Sequence, residues 1–290
     1  MSAQTMASRP DAILVSNPGS VHQWGHRNIA SRVSEFTNGT DERVLRAMFD
    51  PHEPEEYSSP LHHHNFDQIR YVASGEIDFG QSLIAKAKDF VYFPAGTWYK
   101  IEMRSPSATV YTVQTHAPDW AYFPTRPEAT RGAAELQELG ELDRKAGVFR
   151  WPDGRVQDTY EAMWERLQGR PLTYPRPRFA MPCLIHTDNF AWRPGSFPNV
   201  YIQDLASFNT IGPSVMGLRL GAKAEVPAGV SPRHELIAIV EGKACYGDDG
   251  LLSQGGLIYV PPGGARKRIW TQDEDAKFLV LKFEPKAPSS

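Results

Sequence analysis

The segment from Gln68 to Lys100 aligns without a gap on Glu235 to Lys267, a constant offset of 167. Gly75 falls on Gly242, Gly80 on Gly247, Tyr92 on Tyr259, Pro94 on Pro261 and Gly96 on Gly263. Apolar pairs fill the spaces between: Ile69 with Leu236, Val72 with Ile239, Phe79 with Tyr246, Phe90 with Leu257, Val91 with Ile258 and Phe93 with Val260. Chance can match two glycines, but turn glycines, a Pro-x-Gly and the apolar runs before them, all in register, mean duplication. Each copy is therefore one domain.

Within a copy the pattern reads strand, turn, strand: Gln68 to Ala73, the turn Ser74-Gly75, Glu76 to Phe79, then Asp89 to Phe93 entering Pro94-Ala95-Gly96. The runs are short, β-branched or aromatic, and punctuated by glycine, as in the strands of a jelly roll or closed barrel. The expected fold class is all-β. A chain of 290 residues holds two such domains without a covalent staple. Between the copies the character changes. Pro127 to Gly140 is rich in Ala, Glu and Leu, and Asp158 to Gln168 reads as a helix. Asp158 is its N-cap, Glu161 stands three residues on as in a capping box, and Gly169 with Pro171 gives the stop. The expected division is an N-terminal barrel with its arm over residues 1–125, a connector with helices over 126–182, and a C-terminal barrel over 183–290.

The formal net charge of -3 leaves no broad basic surface to neutralise phosphates, so nucleic acid is not an expected partner. Cys183 and Cys245 belong to no CxxC, which argues against a zinc ribbon or a disulfide framework and for reduced, buried thiols. Met1 to Pro10 has no basic region followed by an apolar stretch, and nowhere do about 18 apolar residues run together. The expectation is a cytoplasmic protein with no membrane partner, as a monomer or homodimer.

The first copy contains His62-x-His64, three residues, Gln68, six residues, Gly75, and downstream Pro94-x-Gly96 followed after two residues by Tyr99. This resembles the cupin superfamily, whose first motif is His-x-His, three or four residues, Glu, six residues, Gly. Its second motif is Pro-x-Gly, two residues, His. The resemblance covers both copies, over residues 55 to 116 and 222 to 284. The stretches His64 to Tyr71 and Asp158 to Pro171 are further similar to a group of bacterial bicupins. The resemblance implies two double-stranded β-helix (cupin, jelly-roll) barrels joined by a partly helical connector. It also implies metal-ligand positions at His62, His64, Gln68 and Tyr99. Two of these depart from the family pattern, for an amide is a weaker, neutral ligand than a carboxylate, and a phenol binds strongly only without its proton.

Side chains along a strand alternate faces, so His62, His64, Phe66, Gln68, Arg70 and Val72 share one parity. If the histidines face the barrel interior, Arg70 does too, provided no bulge intervenes. Two imidazoles on one face can grip a divalent ion, completed by a group from the Pro-x-Gly turn. The alternative is a solvated histidine loop or a ligand set that has lost its ion. Gln68 reads as ligand or structural hydrogen-bonder, and Tyr99 as ligand, proton acceptor or pocket wall. An inward Arg70 suits a substrate carboxylate or phosphate, or else a buried pair with Asp67, Asp78 or Glu76. His63 points the other way, to the surface, and His116 is a reserve ligand or base. Trp98, Phe66, Tyr92 and Phe93 read as an aromatic pocket or as core. Core is the choice for Tyr92 and Phe93, whose counterparts Tyr259 and Val260 lie in the copy without ligands. That second copy has Gly229, Ser231, Glu235 and Arg266 at the ligand positions and reads as a structural partner with an apolar interior and no metal.

The function expected by family analogy is a metal-dependent enzyme acting on a small oxygenated organic substrate of aromatic or enol type. Its cofactor is a divalent metal, Fe(II) first and Zn, Mn or Ni after it, in an oxidoreductase of dioxygenase kind. Arg70 and Tyr99 are its candidate catalytic residues. An isomerase, decarboxylase or lyase, and a non-catalytic small-molecule-binding protein, are the competing expectations.

Overall fold

A computed structural model of the chain describes residues 58–115, 124–208, 213–248 and 250–284 in full. It also gives the backbone of the strands Ile13–Val15, Val21–Gln23, Ala30–Thr37 and Arg43–His52, with the side chains of Arg46, Ala47 and Met48. His116 lies outside the described residues. By their contacts the residues form two units, 19–35 with 44–188, and 1–18 with 36–43 and 189–290.

The first unit holds the first barrel. Its larger sheet has seven strands in the order Cys183–His186, Asp89–Phe93, Asp67–Ser74, Ala108–Thr115, Arg43–His52, Ala30–Thr37, Val21–Gln23. Its smaller sheet has four, in the order Ser59–His62, Tyr99–Met103, Glu76–Asp78, Ile84–Lys86. The strands from Cys183–His186 to Arg43–His52, and those of the smaller sheet, pair antiparallel with their neighbours. The core lies between the sheets, where Val72, Val91 and Phe93 of the larger meet Ile77, Tyr99 and Ile101 of the smaller. Burying both faces explains why Asp67–Ser74 is closed to solvent along most of its length. The strand turns into Glu76–Asp78 at Gly75, whose φ of 85° belongs to glycine, and a Cβ there would stand 2.4 Å from the Ser107 carbonyl oxygen. Gly242, its repeat partner, has φ 78° and the same obstruction, 2.2 Å from the Asp275 oxygen.

The connector packs within this first unit. Helix α1 (Arg126–Gln137) starts with Thr125 and Glu128 in a reciprocal capping box. In helix α2 (Thr159–Gln168) the expected cap is present, with Asp158 accepting from the N–H groups of Tyr160 and Glu161, and Gly169 ends the helix in the left-handed conformation. The Glu161 carboxylate instead accepts from Gln157 Nε2, 2.9 Å away. Between the helices runs a three-stranded sheet, Glu141–Asp143, Val148–Arg150 and Val156–Asp158, which sequence reading did not foresee. Both helices and this sheet share a core with Met48 and Phe66 of the barrel. Phe66 therefore leaves the inward series that parity assigned to it, because the chain is not a strand between His62 and Asp67.

The second unit holds the second barrel. Its sheet follows the order Ile13–Val15, Leu257–Val260, His234–Tyr246, Ala276–Phe283, Ser214–Leu220, Val200–Ser207, Arg193–Pro194. Its core includes Leu220, Ile237, Ile239, Ile258 and Phe278. The chain is thus all-β with two barrels, and among the described residues no helix is long and apolar enough to cross a membrane.

Candidate functional site

The site of the first barrel is assembled by three backbone devices. The strand Ser59–His62 pairs with Tyr99–Met103 so that His62 stands opposite Tyr99. The Pro94-Ala95-Gly96 turn is tied to the segment that carries His64, since Gly96 N–H donates to the His64 carbonyl at 2.7 Å and Ala95 N–H to Asp67 Oδ1 at 2.9 Å. Gln68 and Arg70 project from Asp67–Ser74 on the face that meets Tyr99.

His62, Gln68, Arg70 and Tyr99 are buried, and His64 is half-buried. The His62 and His64 rings lie edge to face with centroids 4.9 Å apart, and the Tyr99 ring is 4.3 Å from that of His62. His62 Nδ1 is 2.8 Å from the Pro60 carbonyl oxygen and 3.0 Å from Ser59 Oγ. A carbonyl can only accept, so Nδ1 carries the proton and Nε2 the lone pair. His64 Nδ1 is 3.1 Å from Tyr99 Oη and 3.3 Å from Gln68 Nε2.

The orientation of the Gln68 amide follows from its neighbours. Arg46 Nη1 donates to Gln114 Oε1 at 3.0 Å, which turns the Gln114 amide nitrogen toward Gln68 Oε1, 3.1 Å away. Arg70 Nη2 reaches the same Oε1 at 3.5 Å. Gln68 must therefore present its nitrogen to the site, where it donates to Tyr99 Oη at 2.8 Å. Arg70 Nη2 lies 3.4 Å from that oxygen too, so the Tyr99 hydroxyl accepts from two sides and its own proton is directed at His64 Nδ1. The Arg70 guanidinium sits 5.2 to 5.6 Å from the ring centroids of Tyr99, Phe79 and Phe93.

The three carboxylates expected as partners of Arg70 are engaged elsewhere. Asp67 faces Arg178 at 3.1 Å and accepts from Tyr92 Oη at 3.0 Å. Burial nonetheless raises the Asp67 carboxyl, against the lowering by Arg178 and the Ala95 N–H, and burial raises the Tyr92 phenol. Asp78 pairs with Arg104 and Lys100, and Glu76 with Lys86. Tyr92 and Phe93 are both buried core as expected, Phe93 beside the site and Tyr92 on the opposite face of its strand against Asp67 and Arg178.

His63 is not a surface residue. Its half-buried ring is stacked between Trp98 at 3.9 Å and Tyr174 of the connector at 3.6 Å, and burial lowers its pKa. The connector also supplies Tyr160, whose hydroxyl donates to Asn65 Oδ1 at 2.7 Å and whose ring lies 4.7 Å from that of His64. Tyr160, Tyr174 and Gln114 are the site residues that sequence reasoning missed. Gln114 left one signal, an amide two residues after Thr112 on the strand Ala108–Thr115, in the same parity.

Among the described residues no group of three or more His, Cys, Asp and Glu side chains could hold a metal ion. In the second barrel the corresponding positions carry a different construction in the same register. Gly229 stands opposite Arg266 as His62 stands opposite Tyr99, and Glu235 opposite Lys282 as Gln68 stands opposite Gln114.

The profile of the cupin domain family matches residues 52–114. No curated protein matches the sequence. Similar solved structures include oxalate decarboxylase from Bacillus subtilis, at 17% identity and a TM-score of 0.56 over 97% of this chain and 78% of that one. A protein from Nostoc punctiforme named as a candidate dioxygenase is 12% identical, with a TM-score of 0.56 over 90% of this chain and 75% of that one. At these identities the likeness is one of fold, and it extends over both barrels. The chain thus carries a cupin domain over residues 52–114 and shares its two-barrel fold with these structures.

Proposed function

We propose that the first barrel is the catalytic half of a metal-dependent cupin enzyme acting on a small oxygenated organic anion, and within that class a dioxygenase for an aromatic or enol substrate. The observation that carries this reading is the convergence of His62, His64 and Tyr99 beside the Arg70 guanidinium. The donors fit a shared ion. Two imidazoles bound at ~2.1 Å to one ion have ring centres roughly 4.5 to 5.2 Å apart, and here they are 4.9 Å apart. His62 has the tautomer of a ligand, with its far nitrogen backed by a backbone carbonyl. Tyr99 Oη lies at a ligand-to-ligand spacing from His64 Nδ1, and two donors aimed at that oxygen favour an anion there. Gln68 does not fit as a ligand, because the nitrogen it offers has no lone pair. The groups that would hold the ion are thus His62, His64 and Tyr99.

When bound, the ion supplies Lewis acidity to an enolate, phenolate or carboxylate oxygen and, as Fe(II), electrons for dioxygen. Arg70 offers the positive charge that holds the substrate anion. Gln68 fixes the Tyr99 oxygen by its hydrogen bond, and Phe79 and Phe93 keep water from that side. A second reading keeps the ion without redox chemistry, as an isomerase, decarboxylase or lyase. The Arg70 guanidinium beside Tyr99 favours it, since a fixed positive charge there stabilises an enediolate formed without dioxygen.

Metal analysis of untagged protein tests the reading. We expect close to one equivalent of a divalent transition metal, reduced to below about a tenth by His62→Ala with His64→Ala while the fold persists. A metal-free wild type would end the proposal. Oxygen uptake with catechols, hydroxybenzoates and diketones then separates the two reactions.

A further inference from the structure

The second barrel encloses a cavity of about 330 Å³ between its sheets, lined by Ile202, Met216, Val226 and Ile237 and opening beside Phe197 and Arg266. At ~30 Å³ per water in the liquid it has room for about ten non-hydrogen atoms. It lies where the first barrel is filled, since Ile237 replaces Arg70, Gly229 replaces His62 and Arg266 replaces Tyr99 at the repeat offset. The core around it is fully buried, yet Ile202, Met216 and Val226 remain partly exposed, so apolar wall is left facing solvent inside a barrel.

Its polar groups are few and converge at one side. Glu235 is buried and paired with Lys282 at 3.2 Å. Arg266 donates from Nη2 to the Pro227 carbonyl at 2.9 Å and from Nη1 to the Lys267 carbonyl at 3.4 Å. These bonds fix the fork and use two of its five N–H groups. With Lys282 and Glu235 offsetting one another, Arg266 leaves the rim with one positive charge in excess.

We infer that this cavity is a second small-molecule site, independent of the first barrel, for a monocarboxylate with a compact apolar body such as a benzoate or a medium-chain alkanoate. The body occupies the wall of Ile202, Met216 and Ile237, and the carboxylate meets Arg266. No metal takes part.

Calorimetric titration of the full chain with benzoate and hexanoate, against benzyl alcohol and hexanol as uncharged matches, tests it. We expect saturable binding of the acids at one site, with each alcohol weaker by about tenfold or more. Arg266→Gln should bring acid and alcohol together, and Met216→Trp, which fills the cavity, should remove both. The His62→Ala, His64→Ala variant should bind as wild type, so failure of the metal reading leaves this result untouched. Near-ultraviolet circular dichroism establishes that each variant is folded, and Ile202→Trp fills the same space should Met216→Trp unfold. Absence of acid binding at millimolar concentration, equal binding of acid and alcohol, or binding that survives the filled cavity would overturn the inference.

Discussion

Two arginines decide what the amide of Gln68 can offer. Arg46 orients Gln114, Gln114 and Arg70 claim Gln68 Oε1, and the remaining nitrogen goes to Tyr99. A ligand reading and a positioning reading of Gln68 therefore differ in a measurable way. Gln68→Leu, which removes a group that orients the ligand Tyr99, should lower metal affinity by about tenfold, whereas loss of His62 itself should abolish metal retention. Equal losses from the two variants would restore Gln68 to the ligand set. Gln114→Leu leaves Gln68 Oε1 and buried Arg46 each short of a partner, and should cost about 1–3 kcal/mol in urea unfolding. The family resemblance implied the positions of His62, His64, Gln68 and Tyr99, and strand parity that of Arg70, because motif spacing and parity are both local. Which end of an amide faces a site depends on Arg46 and Gln114, dozens of residues away, and no local pattern carries that. Tyr160 and Tyr174 were hidden for the same reason: they reach the site through the packing of the connector.

At the scale of elements, the strand that carries Tyr99 is pinned by Asp78. The carboxylate accepts from Gly80 N–H at 2.7 Å, pairs with Arg104 and lies 3.4 Å from Lys100 Nζ, and the latter two residues flank or belong to Tyr99–Met103. Burial alone would raise the Asp78 carboxyl, but the bonds from Arg104 and Gly80 and the charge of Lys100 together hold it below its usual 3.8. A carboxyl lowered in the folded state adds stability above its unfolded value, and that stability is lost as pH falls through the folded value. We expect Asp78→Asn to cost about 1 kcal/mol at pH 7, limited by the half-exposed Arg104. The gap from wild type should close as the solution is acidified through the carboxylate range. A gap that stays constant with pH in chemical denaturation would show that the charge is immaterial. The hairpin around Gly75 was legible because a glycine at a strand end demands a turn. The three-stranded sheet of the connector was not, since three-residue strands such as Val148–Arg150 leave too short a pattern to tell from a loop.

At the scale of the molecule, the repeat was plain from the offset of 167, but a repeat does not say which copy owns a short flanking strand. Leu257–Val260 and Asp89–Phe93 are equivalent strands, and each is edged by a strand drawn from ahead of the other copy in sequence. Ile13 to Val15 pair with Tyr259 to Leu257, and Cys183 to His186 with Tyr92 to Asp89. The second attachment is reinforced by His186 Nδ1 at 2.9 Å from Asp89 Oδ1 and by Thr187 Oγ1 donating to the Lys88 carbonyl at 2.8 Å. Barrels cut at 182 and 183 would each lose an edge and bare a row of unpaired backbone groups. Deleting residues 1–18 should therefore abolish amide protection at those N–H groups of Leu257 to Tyr259 that face Ile13 to Val15, measured by hydrogen exchange, and leave the N–H groups paired with His234–Tyr246 and those of Asp89 to Phe93 protected. Conversely, a chain ending at 188 should be more soluble and more resistant to urea than one ending at 182. Were the deletion to loosen both strands alike, or the two truncations to behave identically, the edges would owe their stability to the barrels themselves and the exchanged strands would be incidental.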